Sequence, residues 1–126
     1  MNADGGSRGN PGPAGIGIVL SEGQRVIKEI SEKIGKATNN QAEYFALLRG
    51  LKGAKILGAD EIDILMDSEL VVKQINREYK VKDEKLAVLF VKVWNILSTF
   101  SKWSIKHISR EKNKKADALV NKAMDQ

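Results

Sequence analysis

The chain has 126 residues, 42% of them hydrophobic, which suits one domain around one buried core. It has no cysteine, which excludes a disulfide framework and thiolate metal sites and suits a reducing compartment. No apolar run of about 18 residues and no basic-then-apolar leader pattern is present, so a cytoplasmic protein without a membrane span is expected.

The formal charge of +5 is uneven, with 8 Lys+Arg against 10 Asp+Glu in residues 1–72 and 13 against 6 in residues 73–126. A basic half beside an acidic one suits a protein that grips phosphates near a metal site; Lys-rich solvated helices would give the same balance.

In chain order, a short first strand is expected to end at Asp4, where Gly5 and Gly6 begin a glycine-rich turn and Pro11 and Pro13 stiffen the return. Ala14–Ser21 is rich in glycine and β-branched residues and reads as a strand. After the turn at Glu22-Gly23, Arg25–Ile34 reads as its antiparallel partner, although periodicity alone leaves a helix open there. Thr38 with Gln41 three residues later makes a capping box for a helix running to about Leu57, with Gly58 at its C-terminal end. Glu61–Met66 reads as a buried strand, and Asp67-Ser68 can cap a helix over Glu69–Asn76. Tyr79–Asp83 is a polar break. Leu86–Phe100 is long and apolar enough for a widely buried helix. Lys102–Ile108 alternates as a strand does, and Arg110–Lys115 reads as a charged loop. A last helix over Lys114–Met124 carries the stripe Ala116, Leu119, Val120 and Ala123. This order predicts an α/β domain over residues 1–126, with a five-stranded mixed sheet and helices on both faces.

Four carboxylates stand in distinct settings: Asp4 in ADGGSRGNPGPAG, Glu43 in TNNQAEY, Asp67 in LMDSEL and Asp117 in NKKADAL. Each alone has an ordinary explanation. Asp4 fits an Asp-Gly turn, Glu43 a solvated helix residue, Asp67 a helix N-cap and Asp117 the polar border of an amphipathic helix. Taken together they are hard oxygen ligands of the kind Mg²⁺ prefers, and acids far apart in sequence can meet at one sheet edge.

The segments DGGSRGNPGPAG, TNNQAEYFAL, MDSEL and HISREKNKKADALVNKA resemble, in order and spacing, the four signature segments of type 1 ribonuclease H. The resemblance covers nearly the whole chain and is to compact, archaeal-type members without the basic protrusion. It implies the ribonuclease H-like fold and cleavage of the RNA strand of an RNA–DNA hybrid, leaving a 3′-hydroxyl and a 5′-phosphate. It implies that Asp4, Glu43, Asp67 and Asp117 bind two Mg²⁺ ions, with Mn²⁺ as an alternative. Asp4 would bridge the ions, Asp67 and Glu43 would complete one sphere, and Asp117 would help hold the other. Gly5, Asn10, Asn39 and Asn40, with backbone groups of Gly5–Ser7, would meet the minor groove, and Thr38 a DNA-strand phosphate, unless it is a cap alone. Arg110, seven residues before the last Asp, is the implied auxiliary residue; His107 is its competitor, unless it is simply packed. The expected partner is the hybrid, with double-stranded RNA as a further substrate, and a monomer is expected.

Three departures from the family pattern stand out. Only Met1-Asn2-Ala3 precede Asp4, so a short central strand is expected to leave partners unpaired and to cost stability. Glu69 replaces the glutamine of many members, which is expected to weaken groove contacts. Asn76–Lys85 is too short for the protrusion, with Lys80, Lys82 and Lys85 as partial substitutes. The rival readings are a non-catalytic nucleic-acid-binding domain on the same fold, a transposase or resolvase core, and a plain structural domain.

Overall fold

The computed structural model describes residues 1–126. Strands β1 (Asn2–Ser7), β2 (Gly12–Glu22) and β3 (Arg25–Ala37) form an antiparallel meander; α1 (Asn39–Ile56) follows, then β4 (Glu61–Met66), α2 (Glu69–Ile75), α3 (Glu84–Leu97), β5 (Lys102–His107), a 3-10 turn (Arg110–Asn113) and α4 (Lys114–Met124). The sheet order is β3-β2-β1-β4-β5, with β1 central, antiparallel to β2 and parallel to β4. No helix is long and apolar enough to cross a membrane.

Period-two alternation divides β2 between the two faces of the sheet. Ile16, Ile18 and Leu20 join the main core, which also holds Leu47, Leu51, Val71, Ile75, Val93 and Leu97 from α1, α2 and α3. Gly15 and Gly17 face α4 instead, where a Cβ on Gly17 would lie 2.2 Å from the carbonyl oxygen of Ala116. The absent side chain is what lets α4 lie against the sheet.

The local chemistry of α1 is as the sequence indicates. Thr38 Oγ1 accepts from the Gln41 N–H at 3.1 Å, Gln41 Oε1 accepts from the Thr38 N–H at 2.8 Å, and Gly58 past the helix end has φ +86°.

Several expectations are corrected. β1 does not end at Asp4 but continues to Ser7, because Gly5, Gly6 and Ser7 pair with Ile16, Gly15 and Ala14. The hairpin strands are each longer than expected, because their ladder closes from Gly12↔Ala37 to Glu22↔Arg25. Ser68 alone caps α2, accepting from the Val71 N–H at 3.3 Å. The long apolar helix spans Glu84–Leu97, starts at an Asp83 cap, and buries one stripe only: Leu86, Leu89, Val93 and Leu97 are buried while Val88 is 57% and Val91 55% exposed. The charged segment from Arg110 is helical rather than a loop.

Candidate active site

Register brings the first two carboxylates together. The β1–β4 ladder pairs Asn2↔Leu65 and Ala3↔Met66 and then stops. The next residue on each strand is an acid, Asp4 on β1 and Asp67 on β4, so parallel pairing sets them side by side where the strands part. Asp4 pairs with Gly17 and therefore lies on the α4 face; Gly5 pairs with Ile16 and lies on the α1 face.

Glu43 arrives from the α1 side. A Cβ on Gly5 would lie 2.2 Å from the Ala42 carbonyl oxygen and 2.7 Å from the Glu43 nitrogen, so α1 reaches β1 only because residue 5 is glycine. The Gly5 N–H donates to Glu43 Oε1 at 2.6 Å and to Asp4 Oδ1 at 3.0 Å. Carboxylate oxygens of Asp4, Glu43 and Asp67 all lie within 4.8 Å of one another. Asp117 on α4 lines the same cleft of about 450 Å³, as does Arg110, whose Nη2 is 3.8 Å from Asp117 Oδ1.

Burial, and then the neighbouring negative charge, raises the proton affinity of Asp4 and Glu43. Burial, then the charge of Asp67, pushes the Asp4 carboxyl up to about 7, against an ordinary 3.8; Asp117 adds to the rise and a contact with Glu43 opposes it. Burial, then the charge of Asp4, holds Glu43 well above the usual carboxylate range, while the Gly5 N–H acts the other way. The cluster is thus a set of oxygen donors with unbalanced negative charge, which suits a hard divalent cation.

The residues expected to meet the minor groove are partly committed elsewhere. The Gly5 N–H is spent on carboxylates and the Ser7 N–H donates to Asn39 Oδ1 at 2.9 Å, so neither is free as expected. Asn10 Oδ1 accepts from the Asn39 N–H at 3.1 Å. The amide oxygens of Asn10 and Asn39 are therefore engaged within the protein, while their NH₂ groups remain as donors. Asn40 is exposed and lies with Asn10, Thr38 and Lys85 in an adjoining recess. Thr38 acts as a helix cap, and its hydroxyl proton is not consumed by that role. His107 is exposed rather than packed, and it is not among the residues that line the cleft with the quartet.

Glu69 is paired with Lys73 Nζ at 2.9 Å, one turn along α2, and hydrogen bonding to Lys73 lowers its proton affinity. Its charge is partly neutralised, which softens the expected repulsion of phosphate. Arg8, Asn121 and Met124 also line the cleft; the first two lie inside signature segments but were not singled out, and Met124 lies just beyond the last segment.

A family model described as reverse transcriptase-like matches residues 2–123. The chain is 46% identical over 123 residues to a ribonuclease HI of Halobacterium salinarum, covering 97% of this chain and 62% of that protein, so it spans less than two thirds of that relative's length. It is 34% identical over 137 residues to a ribonuclease H of Pseudomonas entomophila, covering 98% of this chain and 90% of that one. The structure of LC11-RNase H1, isolated from compost and solved in complex with an RNA/DNA hybrid, superposes with a TM-score of 0.93 at 45% identity, covering 98% of this chain and 94% of that one.

Proposed function

The chain belongs to the ribonuclease H family, and on that basis we propose that it hydrolyses the RNA strand of RNA–DNA hybrids, leaving 3′-hydroxyl and 5′-phosphate ends. The observation that carries the proposal is the convergence of Asp4, Glu43 and Asp67 within 4.8 Å, with Asp117 in the same cleft. A binding domain without catalysis has no need to hold one buried and three half-buried acids, mutually repelling, at one place.

Members of the family are metal-dependent, and the donor set here fits a divalent ion. Asp4, Glu43, Asp67 and Asp117 would hold Mg²⁺, with Mn²⁺ the alternative, as two ions when substrate is bound. When bound, the ions activate the attacking water and stabilise the leaving 3′ oxygen. The chain's own residues supply the rest. Asp4 is central, within reach of the other three acids. The Gly5 N–H fixes the Glu43 carboxylate at 2.6 Å. Arg110 carries a permanent positive charge at the cleft mouth, suited to a phosphate but not to proton transfer.

The free amide NH₂ groups of Asn10, Asn39 and Asn40 are suited to 2′-hydroxyls in a shallow minor groove, which separates a hybrid from a DNA duplex. Thr38 and Lys85 are suited to a backbone phosphate in the adjoining recess. Residues 1–126 act as a single, monomeric domain in the cytoplasm.

The test is cleavage of a labelled RNA–DNA hybrid with and without Mg²⁺, beside Asp67→Asn. Metal-dependent cutting abolished in the variant is expected. Cutting without metal, or an unaltered variant, overturns the assignment. Cleavage of double-stranded RNA in a parallel arm would widen the substrate range.

A further inference from the structure

Asn113 is 1% exposed and is one of only three buried polar or charged residues in the chain, with Asp4 and Gln74. It stands at the N-cap of α4, a position asparagine favours because its side-chain oxygen can accept from the first free N–H groups of the helix. It makes no such bond. Its Nδ2 instead donates to the Ala3 carbonyl at 3.0 Å, and its Oδ1 accepts from Asn2 Nδ2 at 3.1 Å. The helix forgoes a side-chain cap, and the amide is used to bind β1.

The two residues it grips directly precede Asp4. Asp117 is four positions further along α4, one turn above Asn113 on the same side of the helix. We infer that Asn113 is a positioning residue, clamping the start of α4 to β1 so that Asp117 is held against Asp4. Some clamp is required, because carboxylates repel and α4 carries one of the acids. The other anchors of α4 lie farther along it: Ser31 Oγ donates to the Leu119 carbonyl at 2.6 Å, and Gly17 gives room at Ala116 and Leu119. These fix the helix against β2 and β3, and Val120 beside Gly6 packs it on β1 farther along; Asn113 supplies the hydrogen bond to β1 at the start of the helix. The Ala3 carbonyl lies where the β1–β4 ladder stops, and the Asn113 amide donates to it there.

The inference rests on the metal-dependent reading of the quartet. The experiment uses the full chain as Asn113→Ala, with Asn2→Ala as a milder variant that removes one of the two bonds. Mg²⁺ binding is measured by calorimetry without substrate, kcat and KM are measured on hybrid, and urea unfolding is followed in chelator. We expect Asn113→Ala to weaken Mg²⁺ binding about tenfold or more and to lower kcat, with KM for hybrid nearly unaltered. A variant that loses stability but keeps wild-type Mg²⁺ affinity and kcat per folded molecule overturns the positioning role. If Asn113→Ala does not fold, Asn2→Ala decides on the same readouts. Wild-type protein that neither binds Mg²⁺ nor cuts hybrid overturns the hydrolytic reading, and the positioning role with it; wild-type protein that does both, with unaltered variants, overturns the positioning role alone.

Discussion

Replacing Asp4 with asparagine should remove activity and, in chelator, make the protein more stable. Asp4 is 7% exposed and is crowded by Asp67, Glu43 and Asp117. Its carboxyl has an ordinary value of 3.8 and is raised to about 7 by burial first and the Asp67 charge second. The folded state therefore holds a proton that the unfolded chain releases between those two values. Wild-type stability is then favoured at low pH and falls as pH rises from about 4 to about 7. That interval is roughly three pH units, and at about 1.4 kcal/mol each the ceiling is about 4 kcal/mol.

Asparagine keeps the shape, and its oxygen can still accept from the Gly5 N–H, but it has no charge to desolvate. Asp4→Asn should accordingly match wild type near pH 4 and exceed it by about 2–4 kcal/mol above pH 7, after allowance for relaxation around the coupled Glu43. For a chain of this size that is a rise in Tm of roughly 6–15 °C. The assay is urea and thermal unfolding in chelator from pH 4 to pH 9. Added Mg²⁺ should stabilise wild type and not the variant, narrowing the gap. A gap that is constant with pH, or a variant less stable than wild type at pH 8, would refute the argument that unbalanced charge is stored at Asp4.

Three further outcomes are expected. Gly5→Ala places a Cβ 2.2 Å from the Ala42 carbonyl oxygen, so it should cost at least about 2 kcal/mol in urea unfolding and also depress kcat by displacing Glu43. Arg110→Ala should lower kcat/KM about tenfold with a stability change under about 0.5 kcal/mol, since Arg110 is exposed, while His107→Ala should leave both nearly unaltered; steady-state kinetics on hybrid beside melting curves decide. Fusing about five residues of alternating apolar pattern ahead of Met1 should extend the β1 ladder beyond Asn2↔Leu65 toward Glu61 and raise Tm; an unaltered Tm would mean that edge is already satisfied.

The sequence by itself determined most of the elements. Where local chemistry decides, it was legible: the Thr38–Gln41 capping box, the strand Glu61–Met66, and the α4 stripe Ala116, Leu119, Val120 and Ala123 are as read. The four signature segments also marked the acids and the family, because a motif records residue identity and spacing. Where pairing decides, the sequence was misleading. Gly5-Gly6 looks like a turn, yet β2 holds both glycines in a strand, and α3 hides its exposed Val88 and Val91 in an apolar run.

Only the tertiary structure decided how the site is assembled. The Ala3↔Met66 register sets Asp4 beside Asp67, and a missing Cβ on Gly5 admits Glu43. Asn113 directly precedes the helix expected from Lys114, but its role as a clamp on β1 was not legible, since nothing within a few residues of it indicates a partner 110 positions away. Caps and stripes are local and can be read along the chain; charge crowding and long-range hydrogen bonds arise only once distant segments meet.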